Sequence, residues 1–125
     1  MIQVQKQVPV VTNQYDAGSA AAADLALNRL LSLYPDAKPV RIPVRVQLPP
    51  RGKNARETTT IAYKTRDAAI FSMKFPLCGG ETILFHHAAE SGAASAVAVA
   101  LMPNGSSWAV AARFLDGPPR WILKS

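Results

Sequence analysis

From Val40 to Leu48 the chain alternates without interruption, with Val40, Ile42, Val44, Val46 and Leu48 on one side and Arg41, Pro43, Arg45 and Gln47 on the other. A two-residue period sends successive side chains to opposite faces of a strand, so this segment is committed to a sheet with one buried face. Pro43 has no N–H to give to a ladder, which predicts an edge position or a bulge at that point.

Five more short segments follow, each bounded by turn chemistry. Glu57 to Tyr63 is rich in Thr and reads as a second strand. In Ala69 to Phe75, residues Ala69, Phe71, Met73 and Phe75 share one face, and a turn around Pro76 to Gly80 leads into a fourth strand, Glu81 to His87. Ala94 to Met102 is nearly continuous in Ala and Val, a pattern that length alone does not separate from a short helix. The turn Pro103-Asn104-Gly105-Ser106 runs straight into Trp108 to Phe114, which favours a hairpin with Asn-Gly at its tip and hence a strand. Six short strands predict a closed or nearly closed barrel, because closure removes exposed edges.

Before the strands, Ala17 to Tyr34 is Ala-rich and carries Leu27, Leu30, Leu31 and Tyr34 at helical spacing, with Asp16 or Ser19 as N-cap and Pro35 as a stop. One amphipathic helix is predicted, serving as a packing element over an open end of the sheet. Residues 1 to 15 alternate weakly and are compatible with an arm, an edge strand or a tail. The expected organisation is an arm and helix over residues 1–37 and a barrel over 38–125. With 49% hydrophobic but only 7% aromatic residues, the interior is built mainly from Ala, Val, Leu and Ile. The chain has neither an 18-residue apolar run nor an apolar leader, so no membrane insertion and a cytoplasmic location are expected. Cys78 is the only cysteine, so no internal disulfide can form and a cysteine-based zinc site lacks partners.

The formal net charge of +6 is concentrated. Lys38 to Lys74 holds nine basic residues against Glu57 and Asp67, while the rest of the chain is slightly acidic. Clustered positive charge is what a phosphate ligand, a nucleic acid or an acidic protein senses, and it is also how a solvated strand face looks. Alternation puts Arg41 and Arg45 on one face of their strand. His86 and His87, being adjacent, point to opposite faces and are poorly placed to share a metal. Trp108 and Trp121 read as core and lid packing. The carboxylates are scattered, and no nucleophile, zinc or phosphate-loop motif is present, so no enzyme and no cofactor are expected.

The order of the pieces resembles the PilZ domain, a family of bacterial cyclic-di-GMP receptors. A basic leading segment, a strand, a loop, a paired strand, a signature turn and a Gly-containing closing hairpin succeed one another over roughly residues 38 to 121. The similarity is carried by Arg41-Ile42-Pro43-Val44-Arg45-Val46, Ala68-Ala69-Ile70, Leu77-Cys78-Gly79-Gly80-Glu81, and Ala111-Ala112-Arg113-Phe114-Leu115-Asp116 with Trp121. It implies a mainly β fold: a small six-stranded antiparallel barrel with one N-terminal α-helix.

Two ligand motifs of that family can be set against these residues. Arg41 and Arg45 satisfy Arg-x-x-x-Arg in spacing. In the family register, however, the second arginine precedes the first strand's apolar run, at Arg41, and the first then falls on Ala37 beside Lys38. Arginine forks pair with phosphate oxygens and stack on purines where lysine offers a point charge, so one missing guanidinium weakens cyclic-di-GMP binding. The second motif, Asp/Asn-x-Ser-x-x-Gly, falls on Tyr63-Lys64-Thr65-Arg66-Asp67-Ala68, where only Thr65 is a conservative match. The resemblance therefore implies a signalling domain that binds cyclic-di-GMP or descends from such a receptor with weakened or lost affinity. Its candidate ligand contacts are Lys38, Arg41, Arg45, Lys64, Thr65 and Arg66. The alternatives are a ligand-free protein adaptor on the same barrel, and a small basic nucleic-acid-binding barrel; the latter lacks aromatics interleaved with its basic residues.

Overall fold

A computed structural model describes residues 25–52 and 54–125. Within them, a helix α1 over residues 25–31 precedes strands β1 (Lys38–Gln47), β2 (Arg56–Lys64), β3 (Ala68–Met73), β4 (Thr82–His86), β5 (Ala93–Asn104) and β6 (Ser107–Phe114), and a short helix α2 (Arg120–Leu123) follows. The strands form a closed antiparallel barrel in the order β1-β2-β3-β6-β5-β4, with β4 returning to β1. The six expected strands are present and the Ala/Val-rich fifth segment is a strand. It joins β6 through Gly105 and Ser106, with Gly105 at φ +61°, the left-handed backbone that two-residue hairpin loops demand.

Alternation sorts the side chains into an inside and an outside. Ile42, Val44, Val46, Phe71, Met73, Ile83, Phe85, Val110, Ala112 and Phe114 fill the interior. The interior is aromatic at its centre: Phe85 meets Phe71 edge-on at 5.3 Å between ring centroids and lies 5.6 Å from Phe114 and 6.2 Å from Trp121. Trp121 and Ile122 of α2 are buried and belong to the same core, as the reading of Trp121 as a lid requires.

The second layer lies outside the cylinder. Ala26 and Leu30 of α1 pack on Ile70, Ala109 and Ala111, with Leu27, Leu31, Tyr34, Tyr63, Ala100 and Met102 around them. The helix thus covers the outer face of β3 and β6 rather than an open end. This explains why Ala68–Phe71 and Ala109–Ala112 are buried at every residue: with a core on one side and a helix on the other, a strand has no wet face and loses its alternation. The alanines keep the sheet's outer surface shallow enough for α1 to lie close. The expected N-caps Asp16 and Ser19, and helix residues 17–24, lie outside the described residues.

Pairing is uneven around the cylinder. β1 matches β2 along almost its whole length, whereas β1 meets β4 only over Arg45–Gln47, and β2 meets β3 only between Ile61–Lys64 and Ala69–Phe71. Pro43 lies in the part of β1 that has no β4 neighbour, the local edge its missing N–H predicts. Side chains continue the β2–β3 seam where the backbones part: Thr59 Oγ1 donates to the Ser72 carbonyl at 2.6 Å, and the Glu57 carboxylate accepts from the N–H groups of Lys74 and Phe75.

Arg51 ends a single 3-10 turn (Pro49–Arg51) after β1 and donates from Nε and Nη2 to the two oxygens of Glu81, at 2.7 and 3.0 Å. The Cys78 N–H also donates to Glu81, whose side chain is 8% exposed. These contacts, the Arg51 bond foremost and against the opposing effect of burial, hold the Glu81 carboxyl below its ordinary range. A carboxyl lowered on folding contributes stability that is fully present above its unfolded value, near ~4.3, and is lost as pH falls through the folded value. Thermal melts of the protein and of Glu81→Gln are therefore expected to differ at neutral pH and to converge as pH is taken below about 4. A gap that stays constant into acid would mean the ion pair contributes nothing to folding.

Candidate functional site

The chain brings four of the six expected contact residues into one cleft. β1 and β2 are in a register that sets Lys38 against Lys64, and the tight turn after β2, closed by the Thr65 N–H donating to the Ala68 carbonyl at 2.9 Å, presents Thr65 and Arg66 beside them. Lys38, Lys64, Thr65 and Arg66 line a cleft of about 280 Å³ together with Asp36, Ile122 and Leu123. Its walls are thus the segment before β1, the β2–β3 turn and α2.

Each side chain there has a different degree of freedom. Lys38 and Arg66 are exposed. Lys64 is half-buried and already engaged: its Nζ donates to the Ile122 carbonyl at 2.7 Å and to the backbone oxygen of Ser125. A cation on the last carbonyls of a helix satisfies acceptors that the helix cannot use, so Lys64 tethers α2 to the barrel. Leu123 is 59% exposed and gives the cleft an apolar lip. Asp36 places one carboxylate in the same space. The cleft can take an anion of moderate size with one flat or apolar part, held by the Arg66 fork and the Lys38 ammonium.

Arg41 and Arg45 go elsewhere. Both are exposed and flanked by the buried Ile42, Val44 and Val46, so they share the outer face of β1 as expected. Neither lines the Lys38–Arg66 cleft. Arg41 falls in the register shift between Pro39 and Ile42, three residues along the strand from Lys38, or roughly 10 Å. Arg45 lies further on, between Thr58 of β2 and His86 of β4.

At the position where the resemblance seeks a small polar group, Tyr63 packs against the α1 layer. The cause is a bulge: Ile61 pairs with Phe71 and Tyr63 with Ile70, two residues against one, which turns Tyr63 out of the interior that Ile61 occupies. Tyr34, at the end of the helical segment, has its hydroxyl raised above its ordinary value, by burial first and by the Asp67 carboxylate second. The α1 layer therefore reaches the β2–β3 turn. Sequence reasoning missed α2 as a wall of the cleft, since Ile122 and Leu123 lie 58 or so positions beyond Lys64 and only the folded Trp121 plug brings them back.

His86 ends β4 and His87 follows it; the two rings take different partners, although both line one groove rather than pointing to opposite faces. His86 Nε2 lies 3.2 Å from Gln47 Oε1. The His87 ring stacks on Trp121 at 5.1 Å and 6°, and its Nδ1 accepts from the Ala89 N–H. Among the described residues no group of three or more His, Cys, Asp or Glu side chains is arranged to hold a metal. Cys78 is exposed, and its Sγ lies 3.9 Å from Arg51 Nη2, a basic neighbour that no local spacing reveals. Among the described residues, no helix is long and apolar enough to cross a membrane. No family model matches the chain, and no curated protein matches it.

Proposed function

We propose that the chain is a PilZ-like bacterial signalling domain in the cytoplasm, whose ligand is cyclic-di-GMP or whose barrel descends from a receptor for it, and that it works by binding rather than by catalysis. The reading rests on one observation: Lys38 and the consecutive Lys64, Thr65 and Arg66, from separate strands and a turn, line a single cleft at the rim of a six-stranded barrel. Cyclic-di-GMP offers two phosphodiester charges and two planar bases. Arg66 supplies a fork for phosphate or a face for a purine, Lys38 a point charge, and Leu123 an apolar surface.

The second reading, a ligand-free adaptor on the same barrel, draws on the occupied state of Lys64, whose ammonium is spent on backbone oxygens of the C-terminal segment, and on Asp36, whose charge opposes a phosphate. Calorimetry with cyclic-di-GMP decides between them. Heat of binding with micromolar or tighter Kd, reduced at least about tenfold in Lys38→Ala and in Arg66→Ala, is the expected result for a receptor. Absence of heat at high protein concentration leaves the adaptor.

A further inference from the structure

Arg45, one of the two arginines that miss the cleft, lines a second one. Where β1 and β4 part, beyond the short pairing of Arg45–Gln47 with Leu84–His86, a groove of about 440 Å³ opens. Pro43, Arg45, Thr58 and His86 form its sheet side, and Glu90 and Ser91 of the β4–β5 loop form its other wall. Among the described residues no helix covers this part of the barrel; α1 lies over β3 and β6.

The charge on this face is one-sided. Arg41, Arg45 and Arg56 are all exposed on β1 and β2, and the residues beside them, Thr58, Thr60 and Gln47, are neutral hydrogen-bonding groups. Among the described residues the one ion pair is Arg51–Glu81, so Arg41, Arg45 and Arg56 have no carboxylate partner there. Arg45 lines the groove and Arg41 and Arg56 lie outside it on exposed positions of β1 and β2, so the sheet beside the groove is matched by carboxylates or phosphates.

Two features choose between those anions. The rings that line the groove are the imidazoles of His86 and His87, the latter already stacked on Trp121, so bases would find little free aromatic face. Glu90 on the loop wall repels any anion, so an occupant must turn its charges to the Arg45 side, which an extended peptide does by alternation and a continuous phosphate backbone does not. Pro43 and Ala88 add apolar surface of the kind that side chains between acidic residues would cover. Among the described residues, the stretch of β1 from Lys38 to Val44 has no strand on its β4 side, so an extended segment can lie along it.

We propose that the groove between β1 and β4 docks an extended acidic segment of a protein partner, with Arg45 and Arg41 pairing its carboxylates and Glu90 excluding nucleic acid. The surface is separate from the Lys38–Arg66 cleft, so it stands or falls independently of the cyclic-di-GMP reading.

The test is a titration of the isotopically labelled chain with a synthetic extended peptide of alternating Glu and Leu, followed by amide chemical shifts, with a DNA duplex of equal charge as the competitor. The expected result is perturbation confined to β1, β4 and residues 87–92, weakening with added salt. Arg45→Ala is expected to weaken binding about fivefold and the double variant Arg41→Glu, Arg45→Glu to abolish it, while Arg66→Ala leaves it unchanged. Both arginines are exposed, so the variants fold, and their dispersed spectra verify it. Shifts centred on the Lys38–Arg66 cleft, shifts spread over the whole surface, or tighter binding of the duplex than of the peptide would each overturn the proposal.

Discussion

Phe85→Ala is expected to remove most of the stability of the domain. The ring is fully buried and touches Phe71, Phe114 and Trp121, so truncation deletes the one side chain that links three strands and the C-terminal plug. Replacing a buried Phe by Ala costs about 3–5 kcal/mol, because transfer energy is lost and the walls relax only in part. Domains of this size are stable by only ~5–15 kcal/mol, so a substantial fraction of the total goes. Urea unfolding measures it directly. A loss below about 1 kcal/mol would mean that Phe85 does not fill the centre of a packed barrel.

Leu30→Asp attacks the second layer and leaves the first intact. Leu30 is fully buried between α1 and the outer face of β3 and β6. An unpaired carboxylate cannot remain there, so α1 leaves the sheet and about 2–5 kcal/mol is lost with it. Ile70, Ala109, Ala111 and Met102 then face water as a contiguous apolar patch, which binds hydrophobic dyes and drives self-association. The Trp121 environment inside the barrel is expected to persist, so near-ultraviolet dichroism keeps its aromatic signal while dye fluorescence rises. Loss of both signals together would show that helix and barrel form one indivisible core.

The two variants mark the boundary of what the sequence discloses. Alternation in β1 assigned Val40 to Leu48 to their faces, and turn residues separated the other strands, because both are local properties of neighbouring residues. The destination of α1 was not local. Helical spacing shows that Leu27, Leu30 and Leu31 need a surface, but the surface was hidden in the unbroken apolar runs Ala68–Phe71 and Ala109–Ala112, which read as strands without declaring that both sides are covered.

The site divides in the same way. Lys64, Thr65 and Arg66 are consecutive, so their shared turn was visible at once, and Lys38 joins them through the β1–β2 register. Arg41 and Arg45 were grouped with them by spacing, and spacing along a strand fixes a face without fixing a neighbour. The outward turn of Tyr63 was not legible, because a bulge inserts a residue that periodicity does not announce. Arg51 and Glu81 are 30 positions apart and meet only because β4 closes on β1.

That closure has a mechanical side. β1 and β2 grip each other along their length yet hold the remaining four strands through two short seams, one of them stitched by Thr59 and Glu57 and the other running out into the open groove. The pair is joined to the rest of the cylinder along two short lines, and whatever lies across its unstitched side adds a further join. A guest seated there at free concentration L stabilises the folded host by RT ln(1 + L/Kd), so the melting temperature rises with the logarithm of guest concentration even past saturation, and recognition and endurance of the cylinder become linked equilibria.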